Sequence, residues 1–205
     1  MAITGASGAV YATRTLAALL DRRVHVELIV SDYGRRLLRD ELGDHATVER
    51  LPEFLAAKYG EGVGAGTITV HSNRDLGATI ASGSHGCRAM AIVPCSMKTL
   101  AAVAHGLSRN LIERAADVML KERRPLVLVP RETPLSTIHL ENLTRLSRAG
   151  AVILPPAPGF YGRPDSVADL VDFVVARVLD QLGVAHPLGP RWGEARVAPP
   201  TIERA

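Results

Sequence analysis

The chain has 205 residues, 47% of them hydrophobic and 22% charged, which fits one soluble globular domain with a buried core. It contains no long apolar run and no basic-then-apolar leader, so we expect a cytoplasmic protein without a membrane span. The net charge of +3, with 4% aromatic residues and no dense stripe of lysine and arginine, disfavours a nucleic-acid surface and favours small anionic ligands.

Strand and helix patterns alternate along the first third of the chain. The predicted elements are, in chain order, a strand at 1–4, a helix at about 8–20, a strand at 24–31, helices at about 33–42 and 48–58, and an edge strand, TITVHS, at 67–72. The first of these strands is unusually short for the centre of a sheet.

Three continuous apolar runs follow, each with the pattern of a strand that is covered on both faces. They are AMAIVPC at 89–95, PLVLVP at 125–130 and AVILP at 151–155. Helical patterns lie between them, so right-handed βαβ crossovers are expected. The sequence therefore predicts an α/β fold with a single doubly wound, mostly parallel sheet of the Rossmann or flavodoxin type and helices on both faces.

The last helix has the clearest pattern. Ser166 with Asp169 forms a cap signature, and Gly183 ends the helix. Its predicted apolar stripe consists of Val167, Leu170, Val171, Val174, Val175, Val178, Leu179 and Leu182. We expect one domain over 1–183 and an irregular tail over 184–205, rich in proline and glycine, that packs with Trp192 against a neighbouring subunit.

The turn TGASG, near the start of the chain, is built for close approach of an anion. Its two glycines allow a sharp bend, and Ser7 can cap the following helix, whose free N–H groups then face one spot. The spacing does not match G-x-G-x-x-G, because Ser7 and Tyr11 stand where the second and third glycines belong. Asp32, the one candidate ribose partner, is better explained as a strand-end acid that faces water.

In open α/β sheets, ligands bind beyond the carboxyl ends of the strands. The segments there are Gly5-Ala6-Ser7, Ser31-Asp32, Pro94 to Thr99, Pro130 to Thr133 and Pro155-Pro156. PCSMKT is either a second anion cradle or an ordinary helix cap made by Ser96 or Thr99. Arg131 beside Glu132 suits the binding of a phosphate and the donation of a proton to it.

Other charged and reactive residues allow two interpretations. Asn110 with Glu113 is a cap pair, and Arg114 and Lys121 share one helix face, although the basic end of that helix could simply be solvated. Tyr161 could donate to an anion or pack on the sheet edge, and Arg177 could be a surface cation.

Metal and disulfide chemistry is not indicated. The chain has no D-D-x-x-D or H-E-x-x-H run, so a metal-bound diphosphate is not expected. Cys87 and Cys95 lack C-x-x-C spacing and paired histidines, which favours small buried side chains over a disulfide, a zinc site or a nucleophile.

Taken together, these motifs resemble the UbiX family of flavin prenyltransferases almost from end to end. The resemblance is carried by TGASG, Ser31 followed ten residues later by Glu41, ASGS at 81–84, PCSMKTLAAVAHGL, NLIERAADVMLKERRPLVLVPRETPLS, IHLEN, GAVILPP and DLVDFVVARVLDQLG. It implies a flavodoxin-like subunit that binds FMN and attaches a dimethylallyl group, from dimethylallyl phosphate, to N5 and C6 of reduced flavin. The product serves a UbiD-type decarboxylase, and the enzyme is a homo-oligomer, expected to be a dodecamer.

The resemblance also implies roles for individual residues. FMN contacts fall on Gly5, Ala6, Ser7, Ser31, Ser96, Met97, Lys98, Thr99 and Arg131. The prenyl phosphate is surrounded by Ser7, Arg114, Lys121, Arg131 and Glu132, with Tyr161 and Arg177 from an adjacent subunit. Lys121 with the arginines stabilises the leaving phosphate, Glu132 is its candidate acid, and Glu41 with Ser7 is a candidate proton relay.

Two departures and two alternatives accompany this resemblance. Leu76 lies where some relatives have a tryptophan, and the first strand is shortened. A flavin-dependent cysteine decarboxylase would carry a P-x-M-N-x-x-M-W type motif in place of PCSMKT. An FMN carrier without chemistry would not need Lys121, Arg131 and Glu132 around a second anion.

Overall fold

Parallel strands form one sheet in the computed structural model, which describes residues 1–189. The strands are β1 (Ala2–Ile3), β2 (His25–Val30), β3 (Thr67–His71), β4 (Met90–Cys95), β5 (Leu126–Pro130) and β6 (Val152–Ile153). Their order across the sheet is β3-β2-β1-β4-β5-β6, and each neighbouring pair is parallel. The predicted doubly wound α/β fold is confirmed, and so is the edge position of TITVHS.

The centre of the sheet lies between β1 and β4. Ala2 of β1 is paired with Ile29 on one side and with Ile92 on the other. The chain builds the sheet outward from β1 to β3 and then returns to build it outward from β4 to β6. The strand order therefore reverses between β1 and β4, and loops that leave these two strands at their carboxyl ends diverge to opposite faces, which opens a crevice.

Helices cover both faces of the sheet. They are α1 (Ala9–Asp21), α2 (Asp32–Leu42), α3 (Leu51–Tyr59), α4 (Met97–Ala104), α5 (Leu111–Lys121), α6 (Thr137–Arg148) and α7 (Val167–Leu182), with short 3₁₀ turns at Glu61–Ala65 and Thr79–Ala81. Each predicted helix is found, with boundaries shifted by no more than a turn. Within residues 1–189, no helix has both the length and the apolar character needed to cross a membrane.

Two main layers of side chains make the core. On one face, α1, α3 and α7 bury residues such as Leu16, Leu55 and Val175 against the sheet. On the other face, α4 and α5 bury residues such as Leu100 and Ile112. Burial of each such side chain contributes about 1.5–3 kcal/mol to the stability of the fold. Because both layers pack on the sheet, the strands are covered on both faces, as their continuous apolar sequences indicated.

Helix α7 confirms most of its predicted pattern. Ser166 and Asp169 form a reciprocal capping box, and Gly183 ends the helix with a left-handed φ of 69°. Val171, Val175 and the other central members of the stripe are buried, but Val167 is 74% exposed. Its predicted place in the core is therefore wrong, because the first turn of α7 lies at the carboxyl edge of the sheet, beyond the short β6.

The first residues of the predicted tail pack on their own chain. Val184 and Leu188 contact the apolar layer that α1 and α7 share, and the His186 Nε2 lies 3.2 Å from the Asp180 Oδ1. Trp192 and the rest of the tail lie outside the described residues, so packing of the tail on a neighbouring subunit stays a prediction.

Candidate functional site

The TGASG loop connects β1 to α1 and bends as its small residues predicted. A Cβ atom on Gly5 would overlap the Cβ of Tyr33, and Gly8 has a φ of +124°, which residues other than glycine rarely adopt. The N-cap of α1 is Gly8, with no side-chain cap from Ser7. The predicted capping by Ser7 is therefore wrong.

A distant carboxylate caps α1 instead. The Glu41 Oε2 accepts from the Gly8 N–H at 3.0 Å and from the Ala9 N–H at 2.7 Å. A carboxylate at this position is stabilised by the positive end of the helix dipole. The first N–H groups of α1 are consequently already bound within the chain, and the expectation that they are free for a ligand anion is wrong.

The loop after β4 offers a second helix N-terminus. The Ser96 Oγ accepts from the Thr99 N–H at 3.3 Å and donates to the Thr99 Oγ1 at 3.0 Å, which confirms the predicted cap. The N–H groups of Met97 and Lys98 belong to the first turn of α4 and have no intrahelical acceptor. Capping and anion binding are therefore compatible here, since the cap uses only one of the available donors.

Ser31 and Asp32 follow β2 at the same edge. The Ser31 Oγ caps α2 by accepting from the Gly34 N–H at 3.0 Å. The side chain of Asp32 is 82% exposed, and its carboxylate lies 3.6 Å from the guanidinium of Arg74. Asp32 thus faces water, as expected for a strand-end acid.

Arg131 connects two of the strand ends. It follows β5, and its Nε donates to the backbone carbonyl of Ser7 at 3.2 Å. Glu132 is exposed, and its Oε1 accepts from the N–H of Thr133 at 3.1 Å. These two charged side chains are adjacent in sequence but have different partners. Arg131 joins the loop after β5 to the loop after β1, whereas the Glu132 carboxylate faces solvent.

Backbone carbonyls of the segment 81–85 bind two arginines, one on α5 and one just after it. The Arg114 Nε donates to the Ala81 carbonyl at 3.0 Å, and its Nη1 lies 2.8 Å from the Asp117 Oδ2. The Lys121 ammonium is paired with Glu122, next to Gly83. The Arg124 guanidinium, at the end of the basic run that follows α5, donates to the Gly83 and His85 carbonyls at 2.8 and 2.7 Å.

Lys121 and Glu132 lie at opposite edges of the sheet. Lys121 ends α5 just before β5 begins, whereas Glu132 comes directly after β5 ends. The five residues of β5, at about 3.3 Å each, separate the two edges by roughly 15 Å. The set proposed around one phosphate is therefore not brought together within one chain.

Tyr161 and Arg177 lie on the flank of β6. The Tyr161 ring packs edge-to-face on Phe173, with ring centroids 5.7 Å apart. Phe173 and Arg177 line a cavity of about 320 Å³ beside β6, and the Arg177 Nη1 lies 2.5 Å from the Asp180 Oδ2. Both Tyr161 and Arg177 are exposed on this flank.

The two cysteines and the other candidate ligands give no metal or thiolate centre in residues 1–189. Burial raises the pKa of the Cys95 thiol to about 12, and burial also raises the pKa of the half-buried Cys87. Cys95 is therefore a protonated core side chain at neutral pH, as predicted. No three His, Cys, Asp or Glu side chains in this part of the chain are grouped to hold a metal ion.

Comparison with known proteins identifies the family. The family model described as Flavoprotein matches residues 1–179. The flavin prenyltransferase UbiX of Pseudomonas aeruginosa is 52% identical over 196 residues, which cover 95% of this chain and 93% of the relative. The chain belongs to the UbiX family of flavin prenyltransferases. UbiX proteins are transferases, and the resemblance stated from the motifs is confirmed.

Two solved UbiX-type structures share the fold. One is AnUbiX (PadA1) in complex with FMN and dimethylallyl pyrophosphate, which is 41% identical with a TM-score of 0.83 and covers 95% of this chain and 96% of its own. The other is the dodecameric FMN-dependent UbiX-like decarboxylase of Escherichia coli O157:H7, which is 42% identical with a TM-score of 0.81 and covers 95% and 100%.

Proposed function

We propose that this UbiX-family enzyme transfers a dimethylallyl group from dimethylallyl phosphate to N5 and C6 of reduced FMN, which gives prenylated FMN. The observation that carries the proposal is the reversal of strand order between β1 and β4, where Arg131 is bonded to the β1 loop and α4 begins after β4, because open α/β sheets bind ligands at this place. The complex of AnUbiX with FMN and dimethylallyl pyrophosphate supports FMN and a phosphorylated dimethylallyl donor as the two ligands. The product serves a UbiD-type decarboxylase, and the need for reduced FMN favours the cytoplasm.

The residues of the crevice fit a flavin mononucleotide. An FMN phosphate and ring need several N–H and hydroxyl donors with few bulky side chains nearby, and the loops after β1, β2 and β4 provide them. Bound reduced FMN supplies the nucleophilic ring positions. The residues proposed to hold it are Gly5, Ala6, Ser7, Ser31, Ser96, Met97, Lys98, Thr99 and Arg131.

The second substrate needs charge stabilisation and proton transfer. Cleavage of the allylic C–O bond leaves additional negative charge on the phosphate, which fixed cations stabilise as it develops. We assign this role to Arg114, Lys121, Arg131 and Arg177, with the Tyr161 hydroxyl as a further donor to the phosphate. Glu132, whose carboxyl group is exposed, is assigned as the acid: in its protonated form it donates its proton to the leaving phosphate and becomes the carboxylate.

A further proton has to leave C6 of the ring. Glu41 is fixed next to the loop of Ser7 by its bonds to the Gly8 and Ala9 N–H groups. This placement supports the assignment of Glu41 and Ser7 as the relay for that proton.

We propose that neighbouring copies complete the site. Lys121 of one chain cannot reach Glu132 of the same chain across β5, so a second copy has to present its α5 cations to the crevice. Large apolar side chains are exposed around the carboxyl edge, which provides surface for such a contact. They are Tyr33, Leu76, Leu135, Ile138, Phe160 and Tyr161. The dodecameric state of the E. coli relative supports this arrangement.

The test is anaerobic incubation of the purified protein with reduced FMN and dimethylallyl phosphate, followed by mass analysis of the flavin. A parallel reaction contains dimethylallyl pyrophosphate, so that the preferred leaving group is decided in the same experiment. We expect FMN that carries an added C5H8 unit in the monophosphate reaction. Recovery of unmodified FMN from both reactions would contradict the proposed function.

A further inference from the structure

Thr4, the residue directly after β1, connects the loop that follows β1 to the loop that follows β4. Its side chain is buried, with 1% exposure. The Thr4 Oγ1 donates to the Pro94 carbonyl at 2.8 Å and accepts from the Ser96 N–H at 2.7 Å. The Thr4 carbonyl accepts from the Ala6 N–H at 3.0 Å. One residue therefore fixes both the start of the TGASG loop and the segment that leads into α4.

The contact fills a gap in the sheet. The β4–β5 ladder is irregular between Ile92 and Cys95, and β4 leaves the sheet immediately afterwards. The Ser96 N–H therefore donates not to a ladder carbonyl but to the side chain of Thr4, directly after β1. Only a hydroxyl can donate to one backbone group and accept from another at the same atom, which threonine and serine provide without adding a charge.

The other end of α4 is anchored independently. The Nε2 of His105, the residue after α4, lies 3.1 Å from the Oδ1 of the buried Asn142 on α6. Thr4 is thus the buried side-chain contact that joins the N-terminal end of α4 to β1. This end carries Ser96 and the Met97 and Lys98 N–H groups that are proposed to bind FMN.

We infer that Thr4 is a positioning residue for flavin binding. It sets the first turn of α4 and the TGASG loop in their binding geometry before the ligand arrives, so that FMN does not bear the cost of ordering them. The inference deepens the proposed function and rests on it, because FMN is the ligand used as the readout.

The chain offers a matched control for a buried threonine hydroxyl. The Thr15 Oγ1, on α1, is buried and has no hydrogen-bond partner. Thr4→Val and Thr15→Val make the same isosteric change at two buried sites, but only the first breaks hydrogen bonds. A difference between these two variants therefore reports the bonds of Thr4 and not the loss of a hydroxyl in general.

The experiment measures the dissociation constant of FMN by fluorescence titration and the melting temperature of the same samples. We expect Thr4→Val to bind FMN about tenfold more weakly than the wild type, because the Ser96 N–H loses its acceptor. Thr15→Val and Thr4→Ser should stay within about threefold of the wild type. A Thr4→Val protein that melts at a lower temperature but binds FMN with wild-type affinity would overturn the inference.

A measurement on the wild type covers the case in which Thr4→Val does not fold. Amide hydrogen exchange of the FMN-free protein should show slow exchange at Ser96 before any ligand is added. Fast exchange at Ser96 that becomes slow only with FMN would show that the ligand, not Thr4, orders this turn. If the wild type fails to bind FMN while Ser96 is protected, the proposed function fails and the contact of Thr4 stands.

Discussion

The two edges of the sheet hold their charged groups in different ways. At the amino edge, the Lys121 ammonium is paired with Glu122, and the Arg124 guanidinium is held by two carbonyls. At the carboxyl edge, Arg131 donates to the Ser7 carbonyl, and among residues 1–189 the Glu132 carboxylate accepts from the next N–H alone. At the carboxyl edge, the charges of Arg131 and Glu132 thus face a possible ligand although Glu41 caps α1 there, whereas Lys121 and Arg124 at the amino edge are bound within the chain.

Under the proposed function, this difference lets one chain contribute to two sites. We propose that the carboxyl edge of each chain supplies flavin donors and an acid, and that its opposite edge supplies Lys121, which is paired here with the neighbouring Glu122. Water screens an exposed ion pair of this kind, so Lys121 can exchange Glu122 for a phosphate at little cost.

The largest expected effect is that of Glu132→Gln. Loss of the proposed acid should reduce the rate of prenyl transfer by about 100-fold or more, while FMN affinity remains within about twofold, because the acid acts on the leaving phosphate. Quenched-flow assays with mass detection of the flavin give the rate. Glu122→Gln is the matched control at the other edge and should change the rate by less than about fivefold. A Glu132→Gln enzyme with full turnover would remove Glu132 from the reaction.

Glu41→Ala tests whether the Glu41 carboxylate stabilises the fold by capping α1 at the carboxyl edge. Removal of the cap should destabilise the fold by about 1–2 kcal/mol, because the Gly8 and Ala9 N–H groups lose their acceptor. Thermal unfolding measures this as a shift of about 2–8 °C. Glu49→Ala, which removes an exposed partner of Arg35, is the control and should shift the melting temperature by no more than about 1–2 °C. Equal shifts in the two variants would show that Glu41 does not cap α1 in solution.

Glu27→Gln probes the charge pairing beside the amino edge. Burial opposes ionisation of Glu27, but hydrogen bonds from His71, at 2.6 Å, and from His25 outweigh it and lower the pKa of the carboxyl. A lowered pKa stabilises the fold above the ordinary value of 4.5, and this contribution is lost as the pH falls through the folded pKa. Chemical denaturation should show Glu27→Gln about 1 kcal/mol less stable at pH 7, with a smaller difference near pH 4. A difference that is constant with pH would contradict this.

Gly83→Ala is expected to have the smallest effect. A Cβ at this position would overlap the Glu122 carboxylate and lie 2.7 Å from the Lys121 Nζ, but both are the ends of flexible side chains. The melting temperature should therefore change little, while displacement of Lys121 raises KM for dimethylallyl phosphate a few-fold. Gly86→Ala, with no atom within 4 Å of the added Cβ, is the control in the same steady-state assay. Identical KM values for both variants would show that segment 81–85 does not position Lys121.

Much of the fold could be predicted because its signals are local. The runs at β4 and β5 are apolar at every position, which identifies strands that are covered on both faces. Ser96 and Ser166 cap helices that begin at the next residue. The cap of α1 could not be predicted in this way. Glu41 lies 33 residues from Gly8 in sequence, and only the packing of α2 beside α1 brings the two together.

The candidate site shows the same limit. The strand-end rule correctly placed Ser31, Ser96 and Arg131 at one edge, because it follows from the direction of parallel strands. The same topology separates Lys121 from Glu132, since one precedes β5 and the other follows it. The sequence did not indicate the contact of Thr4, because this contact depends on the irregular end of the neighbouring strand, β4.

Complementation in mixed oligomers tests the shared site most directly. Lys121→Met and Glu132→Gln chains, each inactive alone, are unfolded and refolded together, and prenyl transfer is followed by the mass of the flavin. In a random equal mixture, roughly a quarter of the sites combine an intact crevice with an intact Lys121 from another copy, so activity should return to about that share of the wild type. Mixed oligomers as inactive as their two parents would contradict a site built from opposite edges of different chains.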